Sequence, residues 1–370
     1  MTHPKQKLYK RMKMMLLFLF SIWGMTVQGQ APYTHVEGGA HLGYIWPHHP
    51  DLDNLYSGGF PLVQISLGRQ TRGDKLWHHA YNFPETGFTL MYSSLGYPQV
   101  LGHAFGAFPH INLPLYERNG IYLQLRYGLG LAYLTNRYRV PQNTGNLAIS
   151  TSLNIIMNTA LQVSLPLTGK LSIRGGISLT HFSNGRIRVP NKGLNIPSVK
   201  LDLVRVLHDP RPLPERLKTP KTFSRYSFQI FGAGGYRTLY STGDKLYAEF
   251  TLSAIVSRHL SMKSSLGLGS DLFLSFSDKA ILEQQQQESI PLYSFWKPGI
   301  HISYELVFGN SAMILQQGIY LHAAYAGDGP AYNRFGLRHR ISTRWLLNLT
   351  LKSHFFQANY LEWGLGYQIL

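Results

Sequence analysis

From Lys170 the chain alternates between two kinds of residue: Leu171, Ile173, Gly175, Ile177 and Leu179 at odd positions, and Ser172, Arg174, Gly176, Ser178 and Thr180 at even ones. Successive side chains of a β-strand point to opposite faces, so this run makes a strand with one oily and one wet surface. The stretch before it repeats the pattern, with Leu153, Ile155, Met157, Leu161, Val163 and Leu165 against Ser152, Asn154, Asn158, Gln162 and Ser164. "PLTGK" joins the two as a tight turn. The same period returns over residues 121–133, 246–256, 300–308 and 345–351, where the wet face carries Gln124 and Arg126, then Lys245, Glu249 and Thr251, then His301, Ser303 and Glu305, then Arg344, Asn348 and Lys352.

Soluble sandwiches also alternate, so the alternation alone does not choose between architectures. Here the wet face holds Arg, Lys, Glu and Gln, many strands exceed ten residues, and aromatics gather at their ends. The N-terminus reads as an export signal over 1–29: Lys5, Lys7, Lys10, Arg11 and Lys13 precede the apolar "MMLLFLFSIW", which is too short to span a bilayer as a helix, and small residues follow. These features specify an all-β fold, a transmembrane antiparallel β-barrel in the cell outer membrane. Its apolar face meets lipid, its polar face lines the interior, and closure satisfies the backbone. Alternation places strands near 36–45, 60–69, 84–93, 101–115, 118–134, 148–166, 170–184, 196–208, 223–240, 243–258, 261–276, 295–308, 311–326, 334–342, 344–352 and 360–370. Weak signals at both ends put the count at about 12 to 16. The expectation is one barrel over 30–370, without a linker. "EQQQQES" (283–289) reads as a mobile tip and the Pro-rich "HDPRPLPERLKTPKTF" (208–223) as a solvated connection.

The 370 residues are 13% aromatic and 14% charged, with no cysteine, which excludes a disulfide scaffold and a disordered chain. The net charge is +17, and removing residues 1–29 takes away five basic and no acidic groups, so the mature charge is 17 − 5 = +12. An exported basic surface points to anionic head groups or phosphorylated glycolipid rather than nucleic acid. Basic residues filling a wet interior account for the same charge equally well.

One segment carries chemistry: "LTHFSNGRIRVPNKGLN", residues 179–195. Parity puts His181 and Ser183 on the oily face with Leu171, Ile173, Ile177 and Leu179, near the outer end of the strand. On the returning strand Val199, Leu201 and Leu203 face outward, and the same parity turns Asn195 toward them if the strand reaches that far. Polar groups at a hydrocarbon edge are unfavourable and point to function. An imidazole two residues from a serine can take its proton as the oxygen attacks an ester, and Asn195 can hold the other ring nitrogen. Asn184 and the Gly185 backbone are candidate donors to the developing oxyanion. Spacing alone also fits a polar girdle with no chemistry.

"THFSNGRIRVPNKGLN" resembles the signature of the PagL-type lipid A 3-O-deacylases and the related bacterial acyloxyacyl hydrolases: His-x-Ser-Asn followed by Pro190, Asn191 and Gly193, over roughly residues 177–203. The resemblance implies that His181 is the base and Ser183 the nucleophile, on the outside of a small barrel, removing an ester-linked acyl chain from lipid A (lipopolysaccharide). Two departures stand out: Asn195 replaces the Glu of the best-known members, and the expected barrel is larger. The segment is also similar to outer-membrane phospholipase A, whose Asn, His, Ser triad has an Asn twelve residues after the serine. That likeness implies a phospholipid substrate, calcium and a homodimer; the deacylase likeness implies no cofactor and no metal. A barrel from a different class, a pore or transporter without chemistry, shares the polar lumen. "PHHP" (His48, His49) reads as a polar loop, "GLGLAY" and "GAGGY" as strand glycines rather than phosphate loops, and His354 and Glu362 as lumen residues.

Overall fold

The computed structural model of the chain describes residues 34–55, 58–207, 213–218, 226–241, 245–286, 289, 291, 295–325, 327–355 and 357–369. The export signal expected over 1–29 lies outside the described residues. Among the described residues there are sixteen antiparallel strands, each end within about six residues of the alternating runs. They close as two barrels of eight. The first contains β1 (Thr34–Gly43), β2 (Phe60–Gln70), β3 (Glu85–Ser93), β4 (Ala104–Arg118), β5 (Ile121–Leu134), β6 (Leu153–Pro166), β7 (Leu171–Ser183) and β8 (Leu194–Val206). The second contains β9 (Tyr226–Arg237), β10 (Tyr247–His259), β11 (Ser264–Ser275), β12 (Trp296–Phe308), β13 (Ser311–Tyr320), β14 (Ala331–Arg340), β15 (Trp345–His354) and β16 (Gln357–Gln368).

The expected single barrel over 30–370 is therefore corrected. β8 pairs back onto β1, and β16 onto β9. Neighbouring hairpins pair the same way in one large barrel or two small ones, so local patterning is blind to the difference. An eight-stranded barrel has an interior just wide enough for side chains to fill, and both lumens are filled. In the first, Glu37 receives Arg126 at 2.8 Å and Arg174 at 2.6 Å, Arg174 also reaches Glu85 at 3.0 Å, and Lys200 pairs with Asp202 at 2.8 Å. At the end from which the β7–β8 loop emerges, a buried apolar cluster including Leu52, Phe60, Leu95, Phe108, Ile149 and Phe182 closes it. In the second, Arg334 spans Asp271 and Glu362, each at 3.0 Å, and the helix Phe276–Gln286 sets Asp278 against Arg237 at 2.9 Å. That helix also takes up most of the expected mobile tip.

Both outer walls are apolar. Ile65, Leu67, Val199 and Leu201 stand exposed on the first, Leu252, Leu268, Ile302 and Leu315 on the second. So continuous an oily surface is foreign to a water-soluble monomer. The barrels touch at both ends. At the short-turn end, Trp77, Tyr81 and Leu113 pack with Met262, Leu306 and Phe308. At the other end, Ile187 and Val189 of the β7–β8 loop bond Thr238, just past β9.

Candidate active site

β7 and β8 run in register so that His181 sits opposite Asn195. Both lie on the outer face, above Ile177 and Leu179, which are 61% and 37% exposed. The pleat alone accounts for this placement: odd positions of β7 face outward throughout. Asn195 lies inside β8, so the parity inferred from the sequence reaches it.

The imidazole is fixed from one side. His181 Nδ1 donates to Asn195 Oδ1 at 2.6 Å, which leaves Nε2 with its lone pair. The amide is fixed in turn, because Asn195 Nδ2 donates to Nδ1 of His48 at 3.0 Å, and His48 Nε2 donates to the Lys192 carbonyl at 3.0 Å. His48 arrives there because backbone bonds from Tyr44 to Pro197 (3.2 Å) and from Trp46 to Asn195 (2.8 Å) continue the β1–β8 ladder past the strand ends. Lys192 pins the same loop through His49 (2.9 Å) and Asp51 (3.2 Å).

Ser183 ends β7 and is 7% exposed. Its Oγ accepts two hydrogen bonds, from the Gly185 N–H at 3.1 Å and from Asn191 Nδ2 at 2.9 Å. Among the described residues no hydrogen bond joins it to His181. Asn184, expected as an oxyanion donor, is committed elsewhere: its N–H goes to Asn191 Oδ1 at 3.1 Å, and its side chain to Ser150 Oγ (3.0 Å) and the Arg188 carbonyl (2.9 Å). The two donors at the serine are thus Gly185 and Asn191. Glycine is required at two turns of this loop. Gly185 has φ +65° and Gly193 φ +77°, and a Cβ on Gly193 would stand 2.9 Å from His181 Cε1.

Of the residues named from the sequence, the structure pairs His181 with Asn195 and Ser183 with Gly185, and it brings two more residues to them. Asn191 was visible only as part of a motif. His48 was set aside as half of a polar pair; it lies 147 positions from Asn195, and no local signal links them. His354 and Glu362 lie buried in the second barrel, His354 bonded to Tyr320 at 2.8 Å, away from this constellation. Among the described residues no three His, Asp or Glu side chains gather to hold a metal ion.

An imidazole, a hydroxyl and two aligned donors on the outer wall of a barrel are the equipment of a carboxylic-ester hydrolase. Residues 62–203 match the family model described as lipid A 3-O-deacylase (PagL), and residues 225–370 the model described as acyloxyacyl hydrolase, C-terminal domain. The first barrel is thus similar to the lipid A 3-O-deacylases and the second to the C-terminal domain of the acyloxyacyl hydrolases, both acyl-ester hydrolases. No curated protein matches the chain. Among solved structures, the outer membrane enzyme PagL is similar at 18% identity over 46% of this chain and 98% of that one, with a TM-score of 0.30. A triple mutant of Rhodopseudomonas blastica porin aligns at 8% identity over 92% and 99%, with a TM-score of 0.20. At these scores neither overlap adds to what the strands establish.

Proposed function

We propose that the protein sits in the outer membrane and hydrolyses an ester-linked acyl chain of lipid A, with Ser183 as nucleophile, His181 as general base and Asn195 as the orienting residue. The observation that carries this reading is the 2.6 Å bond from His181 to Asn195 on an otherwise apolar wall. Ser183 Oγ attacks the ester carbonyl, its proton passes to His181 Nε2, and the same proton then goes to the departing alcohol. Water activated by His181 releases the fatty acid from the acyl-enzyme. The serine oxygen now rests between two donors, the Gly185 N–H and the Asn191 amide. As that oxygen bonds to carbon, both donors are left beside the carbonyl oxygen that gains charge. Catalytic hydrogen bonds of unliganded enzymes are often open until substrate arrives, which accommodates the separation of His181 from Ser183.

A phosphorylated glycolipid suits the loops above the site. Burial and the neighbouring Arg137 both lower the pKa of the Arg188 guanidinium, so an anion bridging the two arginines would be favourable. Apolar walls on both barrels support residence in a bilayer. The test is mass spectrometry of lipid A from cells making the protein. Ser183→Ala and His181→Ala are each expected to lower acyl release by about a thousandfold or more; release retained in either variant overturns the assignment. The neutral Asn195 favours a second reading, phospholipase A activity, for which the same spectra would show calcium-dependent lysophospholipid instead of shortened lipid A.

A further inference from the structure

We infer that the second barrel supplies the site for the acyl chain of the ester that Ser183 attacks, in an apolar furrow on its outer wall floored by Gly232 and Gly234; the inference rests on the esterase reading above. Gly232 lies in register between Leu252 and Leu365, and Gly234 between Phe250 and Trp363. All four neighbours project outward and are about half exposed. Where the glycines stand, the wall drops by the depth of a side chain, and Leu272, Leu274 and Trp296 extend the depression sideways. Its volume is about 550 Å³, and no charged side chain lines it. That size falls among pockets that bury small ligands, roughly 300–1,000 Å³.

Barrel packing does not require these glycines. A Cβ on Gly232 would meet nothing within 4 Å, and one on Gly234 would come no nearer than 3.4 Å to another atom. At Gly235 and Gly364 of the same sheet a Cβ would strike backbone oxygen at 2.2 and 2.1 Å. Steric need explains the second pair and leaves the first open.

Both margins of the furrow run into the nucleophile loop. Along β9, Tyr236 lines the furrow and Thr238, two residues on, receives the Val189 N–H at 3.0 Å and donates its own N–H to the Ile187 carbonyl at 3.1 Å. Along β16, Trp363 lines it, and Leu361, two residues earlier on the same face, lies under Gly185, where a Cβ would come within 3.1 Å. Arg186 adds a bond to the Ala358 carbonyl at 3.2 Å. The furrow is thus continuous with the contact between the two barrels, and that contact is made by the residues directly following Ser183. A linear hydrocarbon tail attached to a carbonyl at Ser183 can follow these margins from the β7–β8 loop into the furrow.

The experiment uses the purified full chain in detergent micelles with two p-nitrophenyl esters, a four-carbon and a fourteen-carbon acyl chain. Gly232→Leu and Gly234→Leu place methyl groups in the furrow, facing outward where the wall has room. Each is expected to lower the ratio of kcat/KM for the long ester to that for the short one by about tenfold, the equivalent of two methylenes losing their burial. Leu315→Ile, on β13 across the barrel from β9, leaves the ratio as in the unaltered protein. A ratio unchanged in both glycine variants, with Ser183→Ala inactive on both esters, overturns the acyl site and leaves the furrow as a surface for bulk lipid or a second copy of the chain. Hydrolysis by Ser183→Ala, or none by the unaltered protein, overturns the esterase reading itself and the acyl site with it.

Discussion

Position 195 decides how the imidazole is tuned. A carboxylate accepts from His181 in either flip and stabilises the imidazolium formed during attack; an amide has one accepting end and must be held the right way round. His48 does the holding, by accepting from Asn195 Nδ2. His48→Ala is expected to lower kcat by about tenfold, the loss of one orienting hydrogen bond of ~1.5 kcal/mol. In an Asn195→Glu background the same change should matter little, a coupling that a double-mutant cycle on kcat reads directly. Asn191→Ala removes one of two donors at the serine and should lower kcat by about 10²–10³-fold with KM little changed. Only a neutral imidazole can take the serine proton, so on the proposed mechanism kcat/KM should fall toward acid pH as the ring protonates, as a pH–rate profile would show. Of these residues, His181, Ser183 and Asn195 were legible because their parity is a local property of strands. His48 was not, because only closure of β1 against β8 brings it near.

At the level of elements, the β7–β8 hairpin does most of the positioning. Its loop turns on Gly185 and Gly193, both at positive φ, and returns Asn191 over Ser183 and Asn195 opposite His181. Gly193→Ala adds a methyl group where His181 Cε1 stands 2.9 Å away, in a backbone conformation disfavoured by roughly 1–2 kcal/mol for residues with a Cβ. The ring must shift. A displacement of this order is expected to cut kcat by up to about a hundredfold, with the circular dichroism spectrum of the barrel unchanged. The helix Phe276–Gln286 shows the limit of compositional reading: a glutamine run resembles a loose tip, yet Asp278 at its start is drawn into the lumen by Arg237.

Across the whole molecule, each lumen is a network of buried ions rather than a channel. Glu37→Ala leaves Arg126 and Arg174 without their shared carboxylate and should destabilise the first barrel by about 3–5 kcal/mol, measurable as a lower midpoint in urea unfolding. For the same reason planar bilayers containing the protein should show no stepwise conductance, which separates it from a pore. The sequence by itself determined the strands, the two faces of each, and the outward aim of His181 and Ser183, since these follow from a period of two in which successive side chains point to opposite faces. What only the tertiary structure decided is which distant strands close the sheets, β1 on β8 and β9 on β16. From that closure come the His48 contact and the glycine furrow, because both join residues that no local repeat connects.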